Sequence, residues 1–176
     1  YSIFEEGIMS KPRTYFKVTD ATGAIILDNP SAQESVLSIE NAAIMTKLLQ
    51  AVVDTGTASG GITLNDKIEV AGKSGTSQNN CDRLFVGYTP ELLAGVWFGY
   101  DYPKDLSEFG GNLSVYIWDE VMNKIYERTE YGSVSRFYIP DSLQKLTYHR
   151  KNGTVPPDTN DPSLMDDGWF SSHNHD

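Results

Sequence analysis

"VAGKSGTSQNNCDRLFVGYTPELLAGVWFGY", residues 70–100, lies across three β-rich runs, Lys67 to Ser77, Leu84 to Tyr88 and Leu92 to Tyr100. They are separated by a polar loop around Asn79-Asn80 and by the turn Thr89-Pro90-Glu91. A parallel crossover takes a dozen or more residues, so links this short dictate antiparallel neighbours. The stretch predicts a three-stranded meander.

Working outward, "SIENAAIMTKLLQAVVDTG", residues 38–56, changes the period. Ile44, Leu48 and Val52 fall on one helical stripe and Met45, Leu49 and Val53 on the adjacent one. Ser38 can cap this helix and Gly56 can end it. Earlier still, "TYFKVTDATGAIILD", residues 14–28, has two β-rich runs joined by Asp20-Ala21-Thr22-Gly23, and Gly23 supplies the positive φ a tight hairpin needs. On the other side, Trp118, Val121, Met122 and Ile125 recur at helical spacing, which predicts a helix over 113–129, capped by Asn112. The fold class is therefore α+β, an antiparallel meander covered by helices. These elements fill residues 1–132. "FYIPDSLQKLTYHRKNG" alternates like a β-hairpin within a short extension over 133–155, and from Pro156 the Pro, Asp, Asn, Ser and His content predicts a mobile tail over 156–176.

Composition narrows the function. A chain of 176 residues with 39% hydrophobic content can bury one ordinary core. Its formal net charge of -10 argues against the basic face that tracks nucleic-acid phosphates. The apolar stretch Leu92 to Phe98 is far short of the about 20 residues that cross a bilayer. Cys81 is the single cysteine, so there is no internal disulfide and no cysteine metal cluster. That fits a reduced compartment or an exported protein without cross-links. Tyr1 stands where an initiator methionine would, with no signal-type segment after it, so the chain reads as a piece whose beginning lies elsewhere.

The chemistry concentrates in Lys73-Ser74-Gly75-Thr76. Alternate strand residues share a face, so Ser74 and Thr76 present two hydroxyls on one side while Lys73 approaches from the other. Two donors and a cation suit a carboxylate. Gly75, between them, lets a ligand or another backbone come close. A strand at the rim of a cleft can also pair with an extended peptide. The plain alternative is that Lys73 and Ser74 are solvated and that Gly72 and Gly75 mark a bulge.

Taken together, "VAGKSGTS", the polar loop, "LFVGYTPELLAGVWFGYDYP" and the closing helix resemble the C-terminal half of the transpeptidase domain of penicillin-binding proteins, most of all the bifunctional class that also carries a glycosyltransferase. "GIMSKPRTYFKVTDATGAIIL", residues 7–27, looks like the hairpin that precedes the active-site strand in that family, so the resemblance covers roughly residues 1–155. One departure is Leu84, where a Trp often precedes Phe-Val-Gly-Tyr. The resemblance implies the C-terminal part of a β-lactamase/transpeptidase-like fold. It implies that Lys73, Ser74 and Gly75 are the family's Lys-Thr/Ser-Gly box and that Ser74 and Thr76 bind the terminal carboxylate of a D-alanyl-D-alanine stem peptide or of a β-lactam. Lys73 then supplies positive potential, and the Thr76 N–H helps form the oxyanion hole, which makes Lys73 and Thr76 the catalytic contributions of this chain.

The same resemblance implies a serine acyl enzyme that cross-links peptidoglycan without metal or organic cofactor, on the extracytoplasmic face of a bacterial membrane and held there only by an anchor outside this sequence. The family's Ser-x-x-Lys nucleophile and Ser-x-Asn box precede the Lys-Thr/Ser-Gly strand, and neither precedes Lys73 here. The partners are the stem peptide, β-lactams and an upstream half of the same domain, without which the chain is expected to be inactive. Ser142-Leu143-Gln144-Lys145 spells the first motif but follows the box in a strand-like run. Ser77-Gln78-Asn79 and Ser172-His173-Asn174 spell the second, and are read as loop and tail. His173, His175 and Asp176 lack the support a metal site needs. The rival readings are a β-lactamase-related fragment and a non-catalytic module binding peptide or wall fragments through the same strand.

Overall fold

The structure, a computed structural model, describes residues 1–128 and 130–172. In chain order the elements are β1 (Ile8–Ser10), β2 (Lys17–Thr19), β3 (Ile25–Asp28), β4 (Gln33–Ser35), α1 (Ile39–Asp54), β5 (Ala71–Thr76), β6 (Asp82–Tyr88), β7 (Leu93–Gly99), α2 (Leu113–Tyr126), β8 (Leu143–His149) and β9 (Met165–Ser171). The short links do what their length dictates. β5, β6 and β7 form an antiparallel sheet in sequence order, with Ser74 opposite Phe85 and Phe85 opposite Val96. The ladder runs without a register shift from Ala71 to Thr76, so the two glycines do not mark a bulge.

Directly opposed residues share a face of a sheet. One face of the meander therefore carries Ser74, Phe85 and Val96, and α2 packs on it. Phe85 meets Trp118 edge to face, ring centroids 5.4 Å apart, and the indole N–H donates to the Ala94 carbonyl at 3.1 Å. Val53, Leu64, Val70, Val115 and Met122 complete this core. Removing one such ring from water stabilises the fold by about 1.5–3 kcal/mol. Gly72 and Gly87 make the stack possible. A Cβ on Gly72 would lie 2.5 Å from the Phe85 ring, and one on Gly87 would lie 2.5 Å from the same ring and 2.9 Å from Trp118.

The helix caps follow the sequence. Ser38 Oγ accepts from the Asn41 N–H at 3.2 Å and Asn112 Oδ1 from the Ser114 N–H at 3.1 Å. Asp119 of α2 accepts from the N–H groups of Thr63 and Leu64, both at 3.0 Å, and from the Thr63 hydroxyl at 2.7 Å, which seals the segment before β5 against the helix. The face of α1 that meets the sheet departs from the apolar stripes. Ala42, Ala43, Thr46 and Val53 are buried there, while Met45 and Leu48 are exposed. Small residues let the helix approach closely, and the Thr46 hydroxyl reaches the Tyr88 hydroxyl at 3.0 Å. Val121 of α2 is likewise exposed.

At the N-terminal side, β2 and β3 form the expected hairpin, with Gly23 at φ 87°, and β1 pairs with β4. At the other end two expectations are corrected. β8 does not fold back within residues 133–155 but pairs antiparallel with β9, so 165–171 is a strand where a mobile tail was expected. The intervening Pro- and Asp-rich segment is the long link of a hairpin, and Trp169, Phe170 and Tyr148 give the sheet its apolar contacts, including a Tyr148–Phe170 edge contact at 6.0 Å. The hairpin lies on α1, where the Ser142 hydroxyl donates to Glu40 at 2.9 Å and the Lys47 ammonium sits 5.7 Å from the Trp169 ring.

Candidate functional site

β5 is an edge strand of the three-stranded sheet, which leaves one side of its backbone away from β6. Along it the ladder sends Ser74 and Thr76 to one face and Lys73, opposite Val86, to the other, as strand alternation requires. The Lys73 ammonium folds along its own strand and donates to the Ser74 carbonyl at 2.8 Å. Among the described residues no carboxylate pairs with it within ion-pair distance, so its positive field is not neutralised locally. Thr76 is exposed and Ser74 half-buried. A Cβ on Gly75 would meet only Leu84, at 3.6 and 3.9 Å, which is ordinary contact, and Gly75 is not among the glycines of positive φ. The fold itself thus requires a glycine at 72 but not at 75.

Two residues that sequence reasoning passed over frame this strand. The Thr57 hydroxyl, in the turn after α1, lies 2.9 Å from the Ser74 hydroxyl. Arg83 stands opposite Thr76 in the ladder, is buried, and points its guanidinium into a ring of carbonyls. It donates to Leu106 O at 2.9 Å, to Phe109 O at 2.8 Å and to Gly111 O, while its Nε donates to Asn80 Oδ1 at 3.3 Å. Asn80 in turn donates to Asp105 at 3.2 Å and receives the Leu106 N–H on its carbonyl at 2.9 Å. Hydrogen bonds from the Ser107 hydroxyl and N–H and from Asn80, with the Arg83 charge nearby, hold the Asp105 carboxyl below the usual carboxylate range. The segment 105–111 is thereby fastened beside the Thr76 end of β5. The signal for Arg83 was an arginine inside an apolar strand; Thr57 gave none.

The motif lookalikes resolve by context. Ser142 immediately precedes β8 and Lys145 lies within it, so the two are not one helical turn apart; Ser142 is bonded to Glu40 and Lys145 is paired with Asp167 at 3.0 Å. Ser77 closes the loop between β5 and β6, donating from its hydroxyl to Asp82 at 2.7 Å, and Asn79 adopts φ 61°. His173, Asn174, His175 and Asp176 lie outside the described residues. Among the described residues, no group of three His, Cys, Asp or Glu side chains is placed to hold a metal, and no helix is long and apolar enough to cross a membrane.

An antiparallel meander backed by an aromatic-cored helix, with Lys-Ser-Gly-Thr on its edge strand, defines a transpeptidase-like α+β module. The chain belongs to the penicillin binding protein transpeptidase domain family, whose sequence model matches residues 1–123. It is 32% identical over 162 residues to penicillin-binding protein 1A of Clostridium tetani, covering 89% of this chain and 20% of that protein. To penicillin-binding protein 1A of Clostridium acetobutylicum it is 39% identical over 123 residues, 69% of this chain and 15% of that protein. The chain thus spans a fifth or less of the length of these relatives. Among solved structures, penicillin-binding protein 1A from Haemophilus influenzae superposes over 97% of this chain and 30% of its own, with a TM-score of 0.67 at 13% identity. The D,D-transpeptidase domain of a peptidoglycan glycosyltransferase from Eggerthella lenta covers 72% of this chain and 30% of its own, with a TM-score of 0.55 at 20% identity. At these identities the likeness is one of fold, and it agrees with the family assignment.

Proposed function

We propose that this chain is the part of a serine D,D-transpeptidase that supplies the substrate-binding wall of the active site. The observation that carries this reading is the edge strand β5, where two hydroxyls share one face and an ammonium with no carboxylate partner among the described residues sits on the neighbouring residue. Ser74 and Thr76 donate to the carboxylate of a D-alanyl-D-alanine stem peptide or of a β-lactam. Lys73 adds the field that stabilises that anion, and Gly75 leaves room for the ligand backbone against the strand. The Thr76 N–H donates to the oxyanion that forms when a serine outside this chain attacks the carbonyl. The chain supplies neither the nucleophile nor its base, so by itself it is not acylated. The parent works at the extracytoplasmic face of the bacterial membrane through an anchor elsewhere in the polypeptide, and its chemistry calls for no metal, organic cofactor or nucleic acid.

The test is made in the whole protein, with the rate of β-lactam acylation as readout. Thr76→Val keeps shape and backbone N–H and removes only the hydroxyl, so acylation by a free-acid penicillin weakens by about 1.5–3 kcal/mol, the worth of a hydrogen bond to a charged group. A penicillin whose carboxylate is esterified is nearly indifferent to the change. Equal losses for acid and ester would contradict carboxylate recognition by this strand.

A further inference from the structure

Thr57 has no part in the carboxylate clamp described above, yet among the described residues its hydroxyl is the side-chain group that the fold brings to Ser74 Oγ, at 2.9 Å. Its position is prepared by the turn that ends α1. Ala58, the next residue, is only 2% exposed and belongs to the core, and its N–H donates to Val52 O at 3.2 Å while its carbonyl accepts from Gly61 N at 3.1 Å. Ser59 Oγ donates to Asp54 O at 3.1 Å, and the Ser59 N–H to Gly56 O at the same distance. Gly56 is obligatory in this turn: a Cβ there would sit 2.8 Å from Val52 Cα. A residue flanked by a core anchor and a close-packed glycine has its backbone held in one place. The turn therefore brings the exposed Thr57 hydroxyl beside the strand, within reach of Ser74.

Resting on the reading of β5 as a carboxylate-binding strand, we infer that Thr57 is a positioning residue that orients the Ser74 hydroxyl toward the ligand carboxylate. A serine hydroxyl has one hydrogen to donate and two lone pairs that accept. With the ligand absent, the pair can bond in either direction. When a carboxylate arrives, it only accepts, so Ser74 must turn its hydrogen to the ligand, and Thr57 donates its own hydrogen into the Ser74 oxygen. The result is a chain from Thr57 O–H to Ser74 O–H to the carboxylate, in which each bond polarises the next. Without Thr57 the Ser74 rotor is free to turn to water, and its ordering falls on the binding step. The effect passes entirely through Ser74, which separates it from the electrostatic role of Lys73 and from Thr76.

The experiment uses the whole protein that carries this chain, with second-order acylation rates for a free-acid penicillin and for its carboxylate ester. Thr57→Val keeps the branched shape and removes the hydroxyl. It is expected to slow acylation by the acid about 3- to 10-fold, the range for loss of one ordinary hydrogen bond, and to change the ester rate by less than about twofold. Thr57→Ser, which retains the hydroxyl, restores the acid rate. In a Ser74→Ala background, Thr57→Val has no further effect, because its target is gone. An acid rate unchanged in Thr57→Val, equal slowing of acid and ester, or additive losses with Ser74→Ala would each overturn the inference. A thermal melt of Thr57→Val accompanies the rates, and failure of Thr57→Ser to restore the acid rate in a folded protein counts against the inference. The two levels separate cleanly. If Ser74→Ala discriminates acid from ester while Thr57→Val does not, the positioning role fails and the strand reading stands. If Ser74→Ala itself does not discriminate, both fall.

Discussion

The two faces of the β5–β6–β7 sheet are built from the same alternating apolar strands and end in opposite states. On the α2 face, Phe85 and Trp118 are fully buried and two glycines have been cleared to admit them. On the face of Lys73, Leu84, Val86 and Trp97 remain 38%, 41% and 52% exposed. Strand alternation tells that a sheet has two faces, but only the covering element decides which becomes core. The difference separates residues that serve this fold from residues that are free to serve something else. Gly72, Phe85 and Arg83 are of the first kind and Lys73 and Gly75 of the second, while Thr76 shares the α2 face but stays exposed at the end of the strand.

The contrast breaks most readily at the sealed face. Trp118→Ala empties the centre of the core and removes the indole bond to Ala94, so chemical denaturation should show a loss of about 3–5 kcal/mol. Next comes Arg83→Met, which keeps much of the stem but strips donors from the carbonyls of Leu106, Phe109 and Gly111. A loss of about 1–3 kcal/mol is expected, together with faster proteolysis within the segment 105–111. The smallest effect belongs to the open face. Val86→Thr keeps the β-branched shape at a position that no element among the described residues covers, and its stability change should stay within about 0.5 kcal/mol. A loss there as large as that from Arg83→Met would mean that the two faces do not differ as described.

Much of the fold was legible because local chemistry and long-range packing agree. Two links too short for a crossover dictated the meander, and Ser38 and Asn112 cap where their side chains suggest. The face of α1 was misread because the helix meets the sheet through Ala42, Ala43 and Thr46, whose small size permits close approach but carries little apolar signal. β9 was missed because "MDDGWFS" holds two acidic residues and a glycine, and its partner β8 lies beyond a polar, Pro-rich link. In the candidate site, residue type and alternation singled out Lys73, Ser74, Gly75 and Thr76 as a possible carboxylate site, but their reading as a Lys-Thr/Ser-Gly box rested on the family resemblance of the flanking sequence. Thr57 could not, since a hydroxyl in a turn looks the same whether it faces water or a strand. Gly72 and Gly75 were also indistinguishable in sequence, and only the position of the Phe85 ring tells them apart.

That pair gives the most direct test of the division between fold and ligand on a single strand. Gly72→Ala and Gly75→Ala are compared for thermal midpoint and, in the whole protein, for the rate of penicillin acylation. Gly72→Ala forces a methyl into the Phe85 ring, so its midpoint should fall by roughly 3–9 °C, as expected for an overpacked core in a chain of this size. Gly75→Ala should leave the midpoint within about 2 °C, since its Cβ makes only ordinary contact with Leu84, while acylation slows by about tenfold or more because the methyl projects beside Lys73 on the open face of the strand and crowds the Lys73 ammonium against an approaching ligand. A midpoint for Gly75→Ala as depressed as that of Gly72→Ala, or acylation unchanged in it, would contradict the account.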